Sequence, residues 1–226
     1  MHRSGIIWDM GATVVLRMML EPDFVKQAFR ETGLRPASLS PEELIRIGAE
    51  WSGKQNLWPS VAEERAGFRA MARAFLGGAA AAEADVERLG DRLAAYYDVY
   101  APVPGIRPLL DDLAARGIPM AVVSEWPPSL RKFLAHHDLD RYFQAVVCSA
   151  EEGILKPDPR LIQRGLEHLQ METGEVIYIG DHPVKDIQPA RKLGLRTIHF
   201  NPRRMYPAEA HEVHELKERL DAFLAG

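Results

Sequence analysis

The sequence predicts an α/β protein: a doubly wound parallel sheet with a small four-helix unit inserted after the first strand. Three observations predict it. Short β-branched runs, apolar on both faces, recur at residues 5–9, 120–124, 145–148, 176–180 and 196–200, the texture of parallel strands covered by helices on both sides. From residue 101 onward these runs alternate with helix-length segments, which is the βαβ pattern. Between residues 16 and 100 the apolar spacing is helical and no convincing strand occurs. The expected division is therefore a sheet domain of residues 1–15 and 101–226 and a helical domain of residues 16–100. A chain of 226 residues is long enough for one good-sized core with a smaller satellite.

The elements follow in order. The first apolar run ends in Asp9. In the helical stretch, Phe24, Val25, Ala28 and Phe29 share a face. Ser40 then opens a second helix as its cap, with Pro41 in the first position and Glu43 in capping-box position. Phe68, Met71, Ala72 and Phe75 form a third stripe, and Val86, Leu89, Leu93 and Tyr96 a fourth. Residues 101–105, with two prolines and a glycine, return the chain to the sheet. Helices are expected at 106–116, ahead of Gly117 as a helix-ending glycine, and at 128–136, 159–169 and 184–193. Val213, Leu216, Leu220 and Phe223 mark an amphipathic closing helix.

Composition excludes several classes. Lys and Arg total 28 against 32 Asp and Glu, a net charge of −4. That balance gives no general pull toward nucleic acid or an anionic membrane, so any phosphate-binding charge must be local. Cys148 is the only cysteine, which rules out a disulfide framework or a thiolate metal cluster and reads as a small buried strand residue. Residues 1–7 are too short and polar for a secretory leader, and no apolar stretch is long enough to span a bilayer. A cytoplasmic monomer or homodimer is expected, with no nucleic-acid or membrane partner.

Ligands of open α/β sheets bind beyond the carboxyl ends of the strands, so the residues there are informative. The first strand ends in Asp9, the second in Ser124, and the fourth in Gly180 and Asp181, with Asp186 one turn on. Lys156 sits in GILKPDP at 153–159, just before a helix. Several carboxylates, a hydroxyl and a lysine thus converge on one edge. Phosphoryl transfer needs this combination. One carboxylate can attack phosphorus, others can hold a hard divalent ion, and the hydroxyl, backbone N–H groups and lysine can bind the remaining oxygens.

In order along the chain, DMGAT at 9–13, VVS ending at Ser124, KPDP from Lys156 and GDHPVKD at 180–186 resemble the four motifs of the haloacid dehalogenase (HAD) superfamily. The helical insert resembles the cap of the subgroup whose cap follows the first motif. The resemblance spans nearly the whole chain and implies a Rossmann-like core. It also implies roles. Asp9 would be the nucleophile, forming an aspartyl-phosphate. Thr13 would brace the turn after the first strand, Ser124 would hold a phosphate oxygen, and Lys156 would bridge Asp9 and the phosphate. Mg2+ would be held by Asp9, the carbonyl of Gly11 and Asp181, with Asp186 as a further ligand or a support. The activity implied is a Mg2+-dependent phosphatase acting on a small phosphorylated metabolite.

Two positions depart from the family pattern. Gly11 stands where relatives commonly carry the aspartate that protonates the leaving group, a function worth about 10²–10⁴ in rate. A leaving group needing little acid help, such as a sugar 1-phosphate or acyl phosphate, would suit. Glu125 follows Ser124 where asparagine is frequent, and its charge would repel a phosphate unless it points away. Two other functions stay open. A C–P hydrolase resembling phosphonoacetaldehyde hydrolase would use Lys54 of the cap as a Schiff-base lysine, and a phospho-ligand-binding or regulatory protein would not turn substrate over. A true dehalogenase is disfavoured by the Asp181 and Asp186 pair. Trp58 is read either as substrate-selecting or as cap core, and Trp51 as core. His182 is read as lining its loop without chemistry. His136 and His137 are read as helix-end residues, and Arg203 with Arg204 as a solvated pair.

Overall fold

The computed structural model describes residues 4–19, 21–37, 40–52 and 54–225, and no side chain at positions 21, 41, 44, 51, 52 or 55. The expectation for Trp51 therefore falls outside the described side chains. Strand β1 (Gly5–Trp8) leads into a short β2 (Val15–Arg17). Four helices follow, α1 (Glu21–Thr32), α2 (Pro41–Ser52), α3 (Val61–Phe75) and α4 (Glu83–Ala94), and then β3 (Tyr100–Pro102). The remainder alternates: α5 (Ile106–Ala115), β4 (Met120–Ser124), α6 (Leu130–His136), β5 (Ala145–Cys148), α7 (Ser149–Glu152), α8 (Pro159–Leu169) and β6 (Val176–Gly180). A π-helical turn at Pro183–Ile187, α9 (Gln188–Lys192), β7 (Arg196–His199) and α10 (Val213–Ala225) complete the chain.

Strands β1, β4, β5, β6 and β7 form one parallel sheet in the order β5-β4-β1-β6-β7. Side chains alternate between its faces. Ile6 and Trp8 of β1 join Val122, Ile179, Leu110, Phe133 and Leu220 in one buried cluster. Ile7 joins Val123, Tyr178, Leu161, Leu166 and Ala190 in the other. Both faces are thus covered, and each fully buried leucine or isoleucine contributes about 1.5–3 kcal/mol of burial. Cys148 is buried at the end of β5, and burial pushes its thiol up to about 12. Gly117, with φ of +70°, follows α5 in the left-handed conformation that stops a helix. No helix among the described residues is long and apolar enough to cross a membrane.

The four inserted helices pack by the stripes seen in the sequence: Phe24, Ala28, Phe29, Phe68, Met71, Ala72, Phe75, Val86, Leu89 and Leu93 are all buried. The capping box at Ser40 is formed, its backbone N–H donating to Glu43 at 2.7 Å and its Oγ accepting from the Glu43 N–H at 3.2 Å. One expectation fails at its edges. The stretch 16–100 does contain strand: β2 and β3 pair antiparallel, Val15 with Pro102, Leu16 with Ala101 and Arg17 with Tyr100. Strands of three residues are too short to show a two-residue period, and two prolines at 102 and 104 hide the second one. The helix expected at 184–193 is also broken in two, its first turn wound as a π-helix.

Candidate active site

Parallel register sets the site. Trp8 pairs with Val122 of β4 and Ile179 of β6, so Asp9 emerges level with Val123 and Gly180, with Ser124 one residue further on at the carboxyl edge. Asp9, Ser124, Lys156, Asp181 and Asp186 are all buried there. Lys156 Nζ donates to Asp9 Oδ1 at 2.5 Å and to Asp186 Oδ1 at 2.7 Å. Thr13 Oγ1 donates to the other Asp9 oxygen, Oδ2, at 3.1 Å. Ser124 Oγ lies 3.5 Å from Asp9 Oδ1, a long approach that leaves its hydroxyl ready for another acceptor.

Asp186 is fixed from several sides. Tyr178 Oη donates to its Oδ1 at 3.0 Å, and the His182 backbone N–H to its Oδ2 at 3.0 Å. Gly180 makes this approach feasible, since a methyl there would sit 2.5 Å from Asp186 Cβ. Asp181 accepts from Arg203 Nη2 at 3.2 Å, and its backbone oxygen meets His199 Nε2 at 2.8 Å. One oxygen from each of Asp9, Asp181 and Asp186 lies within 4.8 Å of the others.

The electrostatics follow from three carboxylates held together out of water. Burial pushes the Asp9 carboxyl up, to about 7; the Lys156 ammonium pulls against this, and Asp186 and Asp181 add to it. Burial likewise raises Asp181, helped by Asp186 and opposed by Arg203. For Lys156 burial disfavours the charge, but Asp186 and Asp9 outweigh it and hold the ammonium protonated. Carboxylates that resist ionising together are a donor set that a hard divalent cation relieves. The residues present therefore fit Mg2+, with all-oxygen donors and no competing thiolate or imidazole in the cluster.

Asp9, Ser124, Lys156, Asp181 and Asp186 line a recess that also includes Gly11, Glu125, Trp126, His182, Lys185 and Arg203. Glu125 does not stand as a bare charge, because Lys185 Nζ donates to its Oε2 at 2.7 Å. Gly11 has no positive φ, and a Cβ there would meet only Trp126, at 3.7 Å. The Arg203 and Arg204 pair divides: Arg204 binds the exposed Glu212 at 2.7 Å, whereas Arg203 reaches Asp181. Reading both as solvated missed Arg203, and no local pattern marks it, because the loop after β7 folds back over the β6 edge. His182 Nδ1 accepts from the backbone N–H groups of Val184 and Lys185 at 3.1 and 3.2 Å, capping the π-helical turn. His136 faces Asp98 at 3.2 Å, and His137 meets the Tyr97 carbonyl at 3.1 Å, both away from the recess. Lys54 is exposed and donates to Glu50 at 2.8 Å, and it is not among the described residues lining the recess. Trp58 packs edge-on against Phe68 with ring centres 5.4 Å apart and lines a neighbouring cavity.

A buried carboxylate cluster at the carboxyl edge of a doubly wound sheet is an arrangement found in α/β hydrolases, and comparison with known proteins specifies the family. Residues 72–200 match the family described as haloacid dehalogenase-like hydrolase, and the chain belongs to that family. The matched stretch contains Ser124, Lys156, Asp181 and Asp186. A phosphoserine phosphatase from Thermus thermophilus is 34% identical over 100 residues, covering 44% of this chain and 40% of that protein. The chain spans less than half the length of the curated relatives it matches. Among solved structures, a 2-haloacid dehalogenase from Pseudomonas syringae superposes with a TM-score of 0.71 at 20% identity, over 98% of this chain and 99% of that one. A HAD phosphatase from Thermococcus onnurineus gives 0.68 at 20% identity, over 96% and 97%. Both likenesses speak to the shared fold.

Proposed function

We propose that the protein is a phosphatase of a small phosphorylated metabolite, working through an aspartyl-phosphate on Asp9. The observation that carries this reading is the buried Lys156 ammonium, held between Asp9 and Asp186 at 2.5 and 2.7 Å at the base of the recess. It supports one phosphoryl oxygen beside the attacking carboxylate. Asp9 Oδ2 is steadied by Thr13, which leaves the Oδ1 side toward Lys156 and Ser124 as the attacking side. Ser124 donates to a second phosphoryl oxygen. Lys185 holds the Glu125 carboxylate away from the phosphate.

Asp9, Asp181 and the carbonyl of Gly11 would hold Mg2+, with Asp186 orienting Lys156 and the β6 loop. When bound, the ion neutralises phosphoryl oxygens and keeps Asp9 ionised. Helices α1–α4 act as a cap that closes over the ligand and excludes water. The clustering of three carboxylates favours phosphoryl chemistry over halide displacement, which the dehalogenase-like fold alone leaves open. The phosphatase names among the relatives agree with this reading.

The test is Asp9→Asn, which keeps shape and loses the nucleophile. Phosphate release from a panel of esters with Mg2+ is expected to fall at least about 10³-fold, the scale of a lost nucleophile. Retention of most of the turnover would overturn the covalent route.

A further inference from the structure

Beside the phosphoryl recess lies a second cavity. The two share Glu125 and Trp126 as lining residues. The wall of the second cavity is aromatic: Trp58, Phe68, Tyr96, Tyr100 and Trp126. Their rings form a continuous series, with Phe68 to Tyr96 at 5.9 Å, Tyr96 to Tyr100 at 6.4 Å and Tyr100 to Trp126 at 5.2 Å. The polar side chains in its lining are Arg17, Asn56, Tyr96, Tyr100 and Glu125. Glu125 is paired with Lys185, Arg17 donates to the Met19 carbonyl at 3.0 Å, and Tyr96 Oη is engaged with Ser129 at 3.0 Å.

Gly11 lines the recess beside Trp126, which the two cavities share. A Cβ on it would point at the ring of Trp126, 3.7 Å away. The carboxylate at this junction, Glu125, is committed to its ion pair with Lys185, so among the described residues no unpaired acid lines both cavities. Two features therefore bear on the leaving group: the chamber is walled by aromatic rings, and the junction suits a group that leaves unprotonated. A phenol ionises near ~10, as tyrosine does, far below water. It is a flat ring and a leaving group that needs little acid help at once.

We infer that the substrate is an aryl phosphate monoester, its ring seated in the aromatic chamber and its phosphate in the recess, an assignment that rests on the phosphatase reading above. In the first step an oxygen of Asp9 bonds to phosphorus. The bond from phosphorus to the aryl oxygen breaks, and its electron pair stays on the phenolate, which takes its proton from water. Water then cleaves the aspartyl-phosphate, giving inorganic phosphate and restoring the carboxylate.

Four esters separate the two features: phenyl phosphate (ring, good leaving group), benzyl phosphate (ring, poor leaving group), acetyl phosphate (no ring, good leaving group) and glycerol phosphate (neither). With Mg2+, kcat/KM for phenyl phosphate is expected to exceed that for glycerol phosphate by at least about 10²-fold, the lower end of what a missing acid costs a poor leaving group. Benzyl phosphate should fall mainly in kcat, and acetyl phosphate mainly in KM. Independently of turnover, calorimetry should show phenylphosphonate binding about tenfold tighter than methylphosphonate, from the buried ring. Trp58→Ala should lower the ratio of kcat/KM for phenyl over acetyl phosphate about tenfold. Glycerol phosphate turned over as well as phenyl phosphate, or equal binding of the two phosphonates, overturns the aryl assignment and leaves the phosphatase reading standing. Absence of turnover on all four overturns both.

Discussion

Gly11 is the residue on which the proposed leaving-group chemistry turns, because it lines the recess beside Trp126 and carries no side chain. Its φ lies outside the left-handed region and a Cβ has room, so nothing in the backbone demands glycine. Gly11→Asp should therefore fold normally. It is expected to speed hydrolysis of benzyl phosphate about tenfold, below the full acid–base contribution of about 10²–10⁴, because the surroundings were not built around that carboxylate. Phenyl phosphate should gain much less. Equal gains on both esters would mean that the substitution acts on phosphate binding instead. At this scale the sequence was informative wherever a functional side chain ends a strand. Asp9, Ser124 and Asp181 could be picked out because strand ends of a parallel sheet share an edge. Tyr178 and Arg203 could not. Tyr178 sits inside a strand and reads as core, yet its hydroxyl donates to Asp186, and Arg203 reaches Asp181 through the course of a loop.

At the scale of elements, one buried contact joins the inserted helices to the sheet unit. Glu64 of α3 accepts from the Ser129 backbone N–H at 2.9 Å and from its Oγ at 2.6 Å, just ahead of α6. Burial raises the Glu64 carboxyl above its ordinary value, against the two Ser129 hydrogen bonds that lower it. A carboxyl whose folded value lies above its unfolded one binds its proton more tightly in the folded state. Its contribution is therefore fully present in acid and declines as pH rises from the ordinary carboxylate range through the raised value. Glu64→Gln cannot titrate. The stability of Glu64→Gln relative to the parent, from urea melts between pH 4 and pH 7, should shift in favour of glutamine as pH rises. A difference independent of pH would show that Glu64 ionises in the folded protein as it does in water. The helical insert was legible from its stripes, because a 3.6-residue period survives over three turns. The β2–β3 ribbon was not, since three residues carry no period, and the π-helical turn was not, since it differs from an α-helix only in which carbonyl each N–H selects.

For the whole molecule, stability rests on the two buried faces of the sheet rather than on its surface ion pairs. Leu220 of α10 is fully buried in the larger cluster, while Arg116 at the end of α5 reaches Asp221 of the same closing helix at 2.6 Å in contact with solvent. Leu220→Ala should cost about 2–5 kcal/mol by chemical denaturation. Arg116→Ala should cost at most about 1 kcal/mol, because water screens the pair. A larger loss from Arg116 than from Leu220 would contradict this division.

The antiparallel ribbon has a consequence for how such a protein can change. At Arg17 the chain leaves the sheet unit and at Tyr100 it comes back, and these two residues are paired neighbours. Directly opposite residues in an antiparallel pair lie about 4.5–5.5 Å apart at Cα. The sheet therefore sees only two adjacent attachment points, whatever is spliced between them. A segment of different length, or one bearing a different wall for the ring-binding chamber, can be exchanged at this seam without altering the register of any strand that carries Asp9, Ser124 or Asp181. An exchange at this seam by recombination or grafting would then have to match only the insert's buried contacts, such as that of Glu64 with Ser129.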